Sequence, residues 1–165
     1  MDLVFDIETN GFVKDMTAIH CIVTQDLSNN DVSSYYGDQL IDGIKKLESA
    51  NAIIGHNIIG FDIPAISKLY EFNPKGKVLD TLIYVRKLWP NIKINDLNNP
   101  NIPESLKGRH SLDAWGYRLG ENKGSYDKGW DVFSDEMLRY CIQDVKVTSI
   151  LWKLISSKLR FFIFF

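Results

Sequence analysis

The stretch Leu3-Val4-Phe5-Asp6-Ile7-Glu8-Thr9-Asn10-Gly11 decides how this chain can fold. It predicts a strand, because β-forming residues run up to a break at Asn-Gly. Side chains alternate along a strand, so Asp6 and Glu8 point to the same face at its end. Two neighbouring carboxylates repel each other, and a divalent metal bound by oxygen ligands would relieve that repulsion. The alternative is an aspartate that caps a turn beside an exposed glutamate.

The length and composition are those of an ordinary globular domain. The 165 residues suffice for one domain with its own core, and 45% of them are hydrophobic and 24% charged. The net charge of −2 gives no bulk basic character of the kind that indicates a nucleic-acid partner. A carboxylate site whose charge is offset by bound cations would still allow such a partner. Composition alone therefore does not indicate a function, and the function has to be inferred from the sequence motifs.

The cysteines and the two ends predict the compartment. Cys21 and Cys141 lie in apolar patterns without metal-ligand spacing, which predicts buried free thiols in a reducing cytoplasm. Acidic Asp2 directly follows Met1 and no long apolar run ensues, so we expect no secretory signal. The apolar tail at 161–165 is too short to span a membrane. The prediction is a cytoplasmic protein without a membrane partner.

The remaining pattern predicts an α/β fold. Two further strands with short connections, at 18–24 and 31–36, are typical of an antiparallel meander. The apolar run at 52–55 is typical of a buried parallel strand, and a strand end is expected at 78–81. Helices are predicted, with Asp38 and Ser111 as caps, over 38–49, 62–69, 82–88, 111–119 and 134–158. We therefore expect a mixed central sheet, an antiparallel meander plus parallel strands, flanked by helices.

One domain is expected over residues 1–160, followed by the apolar tail at 161–165. No internal repeat or interdomain linker is visible in the sequence. The Asn- and Pro-rich stretch from Trp89 to His110 is long for a loop inside a compact domain, so it is predicted to be either functional or disordered.

Two more carboxylates lie in positions that suit a site. Asp62 opens a helix just beyond a buried strand, at the end of the sheet where α/β proteins bind ligands, although it could simply cap that helix. Asp144 lies in an apolar helix one turn after Tyr140, and a carboxylate there needs a partner. A Tyr-Asp hydrogen bond or a nearby lysine is the structural alternative. Asp80 is interpreted as a helix cap only.

Three motifs together resemble a known family. Asp-Ile-Glu-Thr at 6–9, His-Asn-x-x-x-Phe-Asp at 56–62 and Tyr-x-x-x-Asp at 140–144 resemble the motifs of DEDDy-type 3′→5′ exonucleases, the proofreading domains of DNA-polymerase-I-type enzymes. The segment 108–121 is similar to the corresponding stretch in replicative polymerases of short-tailed bacteriophages. Arg139 stands where the sister DEDDh class has a histidine, which disfavours that class. The resemblance covers residues 1–158 and implies a ribonuclease H-like fold.

The resemblance implies a two-metal phosphodiester hydrolysis. The metal ligands would be Asp6, Glu8, Asp62 and Asp144. They would hold two divalent ions, Mg²⁺ with Mn²⁺ able to substitute, since the ligands are all oxygen atoms. Tyr140, together with Glu8, would orient the attacking water. The expected products are 5′-mononucleotides released from single-stranded DNA 3′ ends.

The same resemblance suggests substrate contacts. Thr9 and Asn57 lie where the family contacts the terminal nucleotide. Phe61 could stack on a base, although an aromatic residue there is more often part of the core. Arg109 and His110 could reach phosphates, and the alternative for both is a solvated basic loop end.

Two other functions remain open at this stage. One is a non-catalytic nucleic-acid-binding or polymerase-docking module of the same fold, and the other is an RNA-trimming exonuclease like ribonuclease D. The presence of all four carboxylates favours an enzyme over the non-catalytic module. The chain shows no polymerase motifs, so a separate DNA polymerase chain is a possible partner, and a phage-encoded protein would work in the host cytoplasm.

Overall fold

The computed structural model describes residues 1–121 and 124–163, with side chains described as far as residue 160. One five-stranded sheet forms its centre, in the order β3-β2-β1-β4-β5. The strands are β1 (Asp2–Thr9), β2 (Ile19–Asp26), β3 (Val32–Tyr36), β4 (Ala52–Gly55) and β5 (Lys77–Asp80). The first three pair antiparallel, and β4 and β5 extend the sheet in parallel from β1. This confirms the mixed α/β sheet predicted from the sequence.

The described residues also form six α-helices. They are α1 (Leu40–Ser49), α2 (Asp62–Leu69), α3 (Thr81–Leu88), α4 (Ile92–Asp96), α5 (Leu112–Leu119) and α6 (Asp135–Ile163). The long helix α6 packs across β1 and β2, and α3 and α5 pack against α6. Ser111 and Gly120 delimit α5 as expected, because the Ser111 side chain accepts from the Ala114 N–H and Gly120 adopts a left-handed conformation.

Strand β1 is buried on both faces, and this orients the first two carboxylates. Its odd-numbered residues Leu3, Phe5 and Ile7 pack into a cluster with side chains of α1 and α2. Val4, on the opposite face, packs with Val145 of α6. Burial of such side chains stabilises the fold by about 1.5–3 kcal/mol each. Because the period is two, Asp6 and Glu8 share the face of Val4, which is covered by α6.

The start of the first helix differs from the sequence prediction. Gly37 takes a positive φ of 57°, and residues Gly37–Gln39 form a short 3-10 turn after β3. Helix α1 therefore begins at Leu40, and its N-terminus has no side-chain cap. Asp38 lies within the turn and does not cap α1, because the chain must first reverse direction out of the sheet.

The Asn- and Pro-rich stretch from Trp89 to His110 is ordered around a buried ion pair. Asp96 accepts two hydrogen bonds from the Arg118 guanidinium, at 3.0 and 2.7 Å, and one from the Gly108 N–H at 2.8 Å. Burial raises the pKa of Asp96, but these hydrogen bonds outweigh burial and hold the pKa below its ordinary value. The stretch contains α4 and a 3-10 turn at Glu104–Leu106, so it is not the structureless loop that its composition suggests.

The C-terminal helix is longer than the sequence pattern predicts. Helix α6 continues to Ile163, beyond the predicted end near residue 158. The apolar side chains predicted to form a tail at 161–165 lie outside the described residues, so the division into a domain and a tail stays a prediction. Within residues 1–121 and 124–163, no helix combines the length and apolar character needed to cross a bilayer.

Candidate active site

Two carboxylates and a thiol meet at the end of β1. One ligand atom from each of Asp6, Glu8 and Cys141 lies within 4.8 Å of the other two. The Cys141 thiol donates to Asp6 Oδ2 at 3.6 Å. Burial, with Cys21 and Asp6 nearby, raises the pKa of Cys141, so the thiol remains a donor at neutral pH. Both cysteines are buried free thiols, as predicted, but no sequence pattern indicated that Cys141 would contact the site.

Asp62 reaches the same place from the start of α2. Its side chain is buried, and α2 begins at this residue, shortly after the end of β4. Burial, together with the charges of Asp80 and Asp144, raises the pKa of Asp62 to about 7, against the opposing effect of the backbone N–H groups of Asp62 and Ile7. Asp62 Oδ1 is buried without a hydrogen-bond partner among the described residues. A bound cation would satisfy this oxygen and favour the ionised carboxylate.

Asp144 completes the group from α6. It is buried, lies close enough to influence the charge of Asp62, and lines a cleft together with Asp6. The four carboxylates Asp6, Glu8, Asp62 and Asp144 therefore come from β1, α2 and α6 to one end of the sheet. This donor set suits a divalent cation, because buried anions so close together need a positive charge between them.

A polar cleft opens beside Asp6 and Asp144. Its volume is about 420 Å³. The residues that line it are Asp6, His56, Asn57, Leu82, Arg86, His110, Ser111, Leu112 and Asp144. Cationic and hydrogen-bonding groups thus face the carboxylates, which is the arrangement expected where an anionic ligand lies against a metal site. We call this space the polar cleft.

Backbone hydrogen bonds hold the loop after β4 in place at the polar cleft. Asp80 caps α3, as predicted, by accepting from the Leu82 N–H at 2.9 Å. The same carboxylate also accepts from the N–H groups of Asn57 and Ile59, at 2.9 and 3.0 Å. Asn57 has a positive φ of 66°, which this anchoring stabilises. Asp80 therefore acts as a scaffold for the motif at 56–62.

His56 connects this loop to the other wall of the polar cleft. Its Nε2 lies 2.9 Å from the His110 carbonyl, and because a carbonyl only accepts, Nε2 carries the proton and donates. Its Nδ1 lies 2.9 Å from Thr81 Oγ1. The pKa of His110 is lowered by burial, then by the charges of Arg118 and Arg86. His110 is therefore a neutral imidazole at physiological pH.

An aromatic cleft lies on the Glu8 side of the carboxylates. Its volume is about 600 Å³. The residues that line it are Glu8, Thr9, Asn10, Gly11, Phe12, Phe61, Trp130 and Asp131. Phe12 is 80% exposed, so its ring is available to a ligand. The Thr9 hydroxyl donates to the Gly11 carbonyl at 2.7 Å and shapes the turn that carries Phe12.

The predicted substrate residues divide between these two clefts. Thr9 and Phe61 line the aromatic cleft, and Asn57 and His110 line the polar cleft. Arg109 is exposed and lines neither, and its carbonyl accepts from Arg118 Nη2 at 2.7 Å.

Sequence reasoning missed Arg86, Phe12 and Trp130. Arg86 lines the polar cleft, and Phe12 and Trp130 line the aromatic cleft. Phe12 lies three residues after the first motif and could have been found from its position. Arg86 and Trp130 reach the clefts only through the packing of α3 and of the segment before α6, and no local pattern marks them.

The class of fold follows from the sheet and helices: it is a ribonuclease H-like α/β fold with a carboxylate site at the end of its central strand. Over 94% of its length, the chain is 35% identical to the DNA-directed DNA polymerases of Enterobacteria phage T3 and Escherichia phage T7, in alignments of 188 positions. The resemblance to bacteriophage polymerases is thereby confirmed. The chain spans about a quarter, 27%, of each of these polymerases. No protein-family model matches the chain.

Solved structures share the fold at low sequence identity. Brucella melitensis NrnC bound to pGG superposes with a TM-score of 0.67 at 17% identity, over 96% of this chain and 73% of that one. NrnC with bound Mg²⁺ gives a TM-score of 0.65 at 18% identity, with 96% and 73% covered. E. coli Exonuclease I in complex with a 5cy-dT13 oligonucleotide gives 0.57 at 17% identity, with 94% and 40% covered. These likenesses establish the shared architecture.

Proposed function

We propose that this chain is a metal-dependent 3′→5′ exonuclease that releases 5′-mononucleotides from single-stranded DNA ends. The observation that carries the proposal is the convergence of four carboxylates, Asp6, Glu8, Asp62 and Asp144, between two clefts of different character. A cluster of buried anions in a protein of this fold serves no packing purpose, and it costs stability unless cations are bound.

The carboxylates would hold two divalent ions. Asp6, Glu8, Asp62 and Asp144 would supply the ligands for them. Oxygen ligands suit Mg²⁺, and Mn²⁺ would substitute. When bound, the ions supply the charge that lowers the barrier to attack on a phosphodiester and stabilises the leaving oxygen. The raised pKa of Asp62 supports this role, because a site that holds a proton near neutral pH is one that a cation can occupy instead.

Residues of the chain would orient the reactants. Tyr140 precedes Asp144 by one helical turn, and its phenol is suited to position a water molecule rather than to remove a proton. Glu8 would accept a hydrogen bond from the same water. His110 is neutral, so it can donate or accept near a phosphate without adding charge.

The two clefts would divide the substrate between them. The aromatic cleft suits a nucleobase, because a flat base can stack against Phe12 or Phe61. The polar cleft suits the phosphate and sugar of the chain, because Arg86 and Asn57 face the carboxylates there. An unpaired end would be required, since a base can enter the aromatic cleft only when it is out of a duplex.

The similarity to phage polymerases supports DNA as substrate and a role in replication and proofreading. A separate DNA polymerase chain would be the partner in this role. The reaction would then take place in the cytoplasm, which agrees with the buried free thiols Cys21 and Cys141.

The experiment compares matched single-stranded DNA and RNA of one sequence, each incubated with Mg²⁺ or with EDTA. We expect nucleotide release from DNA that depends on Mg²⁺. Faster release from RNA would instead indicate an RNA-trimming enzyme like ribonuclease D. Binding of DNA without release of nucleotides would indicate a non-catalytic module.

Replacement of Arg86 should weaken substrate binding specifically. We expect Arg86→Gln to raise KM for single-stranded DNA by about fivefold with little change in kcat, because one phosphate contact is lost. The slope of log KM against log salt concentration should fall by about 0.7, the value for one phosphate of a single strand. Lys87→Gln is the matched control, because Lys87 is the next residue, is exposed and lines neither cleft. Equal effects of the two variants would show that only net charge matters.

A further inference from the structure

Residues 124–134, the segment before α6, fold around a cluster of three aromatic rings. The rings of Tyr126 and Trp130 lie 4.7 Å apart in an edge-to-face arrangement. Both contact the ring of Tyr140, at centroid distances of 5.9 and 6.0 Å. Edge-to-face pairs of this kind fix the relative orientation of their rings. Tyr140, which the proposed function places beside the attacking water, is therefore packed by this segment.

Hydrogen bonds hold the segment in place on both sides. The Tyr126 hydroxyl donates to the Gly129 carbonyl at 2.7 Å and lies 3.3 Å from Ser134 Oγ. Ser134 in turn accepts from the Met137 N–H in the first turn of α6. The segment is thus fastened to the helix that carries Tyr140.

Trp130 is the member of the cluster that also faces the aromatic cleft. Its side chain lines that cleft together with Glu8 and Phe61 and is 37% exposed. Its carbonyl accepts from His20 Nε2 at 2.8 Å, which ties its backbone to β2. The hydrogen bond to His20 thus fixes the backbone of Trp130, and its indole contacts both the aromatic cleft and the ring of Tyr140.

We propose that Trp130 is a positioning residue that couples occupation of the aromatic cleft by a nucleobase to the placement of the Tyr140 phenol. This inference rests on the proposed function and adds a requirement to it. With the cleft empty, part of the indole is exposed to solvent, and its aromatic ring contacts are with Tyr126 and Tyr140. A stacked base fills that side and presses the indole against Tyr140, so the phenol is held at the water-positioning geometry. Hydrolysis is then fast only when an unpaired base is seated.

The kinetic test is a double-mutant cycle on a single-stranded DNA oligonucleotide with Mg²⁺. Tyr140→Phe should lower kcat about tenfold and leave metal binding unchanged, because the phenol only orients water. Trp130→Ala should lower kcat by a similar factor and also raise KM, whereas Trp130→Phe should keep most of the activity. In the Tyr140→Phe background, Trp130→Ala should raise KM without lowering kcat further.

An oligonucleotide whose 3′-terminal residue is abasic isolates the role of the base. The wild type should hydrolyse it with a kcat close to that of Trp130→Ala on normal DNA, and Trp130→Ala should cause no further loss. Effects on kcat that multiply in the double variant, or a loss at Trp130→Ala that persists on the abasic end, would overturn the coupling. A wild type inactive on both substrates would overturn the proposed function itself, so the two failures are distinguishable.

A binding measurement is independent of hydrolysis. Thymidine 5′-monophosphate should quench the tryptophan emission of the wild type and of Trp152→Phe, a control in α6 outside the aromatic cleft. Trp130→Phe should lose most of this quenching. Quenching that survives in Trp130→Phe would overturn the placement of the base against the indole. Thermal melting of each variant confirms that the fold is retained.

Discussion

Replacing Asp6 and Glu8 together by alanine should abolish hydrolysis and leave the fold intact. The double variant loses both carboxylates that β1 contributes to the site. Without them the proposed metal site would lose two of its four carboxylates, and we expect the rate to fall by at least about 10³-fold, since bound divalent ions supply several kcal/mol of transition-state stabilisation and each 1.36 kcal/mol is a factor of ten. Stability should not fall, because the change removes two neighbouring anions. Nucleotide release and thermal melting measure the two effects.

The control is Asp2→Ala, which removes an exposed carboxylate from the opposite end of the same strand. It should retain full activity. If the Asp6→Ala/Glu8→Ala protein kept its full Mg²⁺-dependent rate, the site assignment would be wrong.

Replacement of Asp62 by asparagine should stabilise the metal-free protein and impair catalysis. The pKa of this carboxyl is raised by burial from 3.8 to about 7. Between these values the folded protein binds the proton more tightly than the unfolded chain, so rising pH lowers the free energy of unfolding. Because asparagine cannot ionise, the variant does not lose this part of the free energy of unfolding as the pH rises. In EDTA, the stability advantage of Asp62→Asn over the wild type should grow by about 1–2 kcal/mol from about pH 5.5 to about pH 8.5.

Denaturant unfolding at the two pH values measures this difference. Asp42→Asn is the control, because it makes the same chemical change at an exposed residue in the first turn of α1. Although Asp62→Asn should be the more stable protein in EDTA, in Mg²⁺ it should hydrolyse DNA more slowly than the wild type. A difference between Asp62→Asn and the wild type that stays constant with pH would show that Asp62 is ionised in the metal-free fold.

The elements that could be predicted from sequence are those whose signal is local. The alternation in β1 placed Asp6 and Glu8 on one face, and the apolar run of β4 identified a buried parallel strand. Asp80 was recognised as a cap because capping depends on a few adjacent residues. Such patterns predicted the α/β class, whereas the specific sheet topology and the set of carboxylate motifs came from the resemblance to the exonuclease family.

The features of the fold and site that could not be predicted depend on contacts between residues that lie far apart in the sequence. The stretch from Trp89 to His110 reads as a loop because the Asp96–Arg118 pair that organises it joins residues 22 positions apart. The position of Trp130 depends on a hydrogen bond from His20 in β2 and on a ring contact with Tyr140 in α6. Polar and aromatic residues in irregular segments carry no periodicity, so only the folded chain shows which of them face a cleft.

The central claim is tested most directly by digestion of a 5′-labelled single-stranded DNA oligonucleotide, with Mg²⁺ and with EDTA. The label reports the direction of cleavage, because shortening from the 3′ end leaves a ladder of labelled products. We predict such a ladder with Mg²⁺ and intact oligonucleotide with EDTA. Intact DNA after incubation with folded, Mg²⁺-supplied protein, or a ladder that forms equally in EDTA, would contradict the assignment of a metal-dependent 3′→5′ exonuclease.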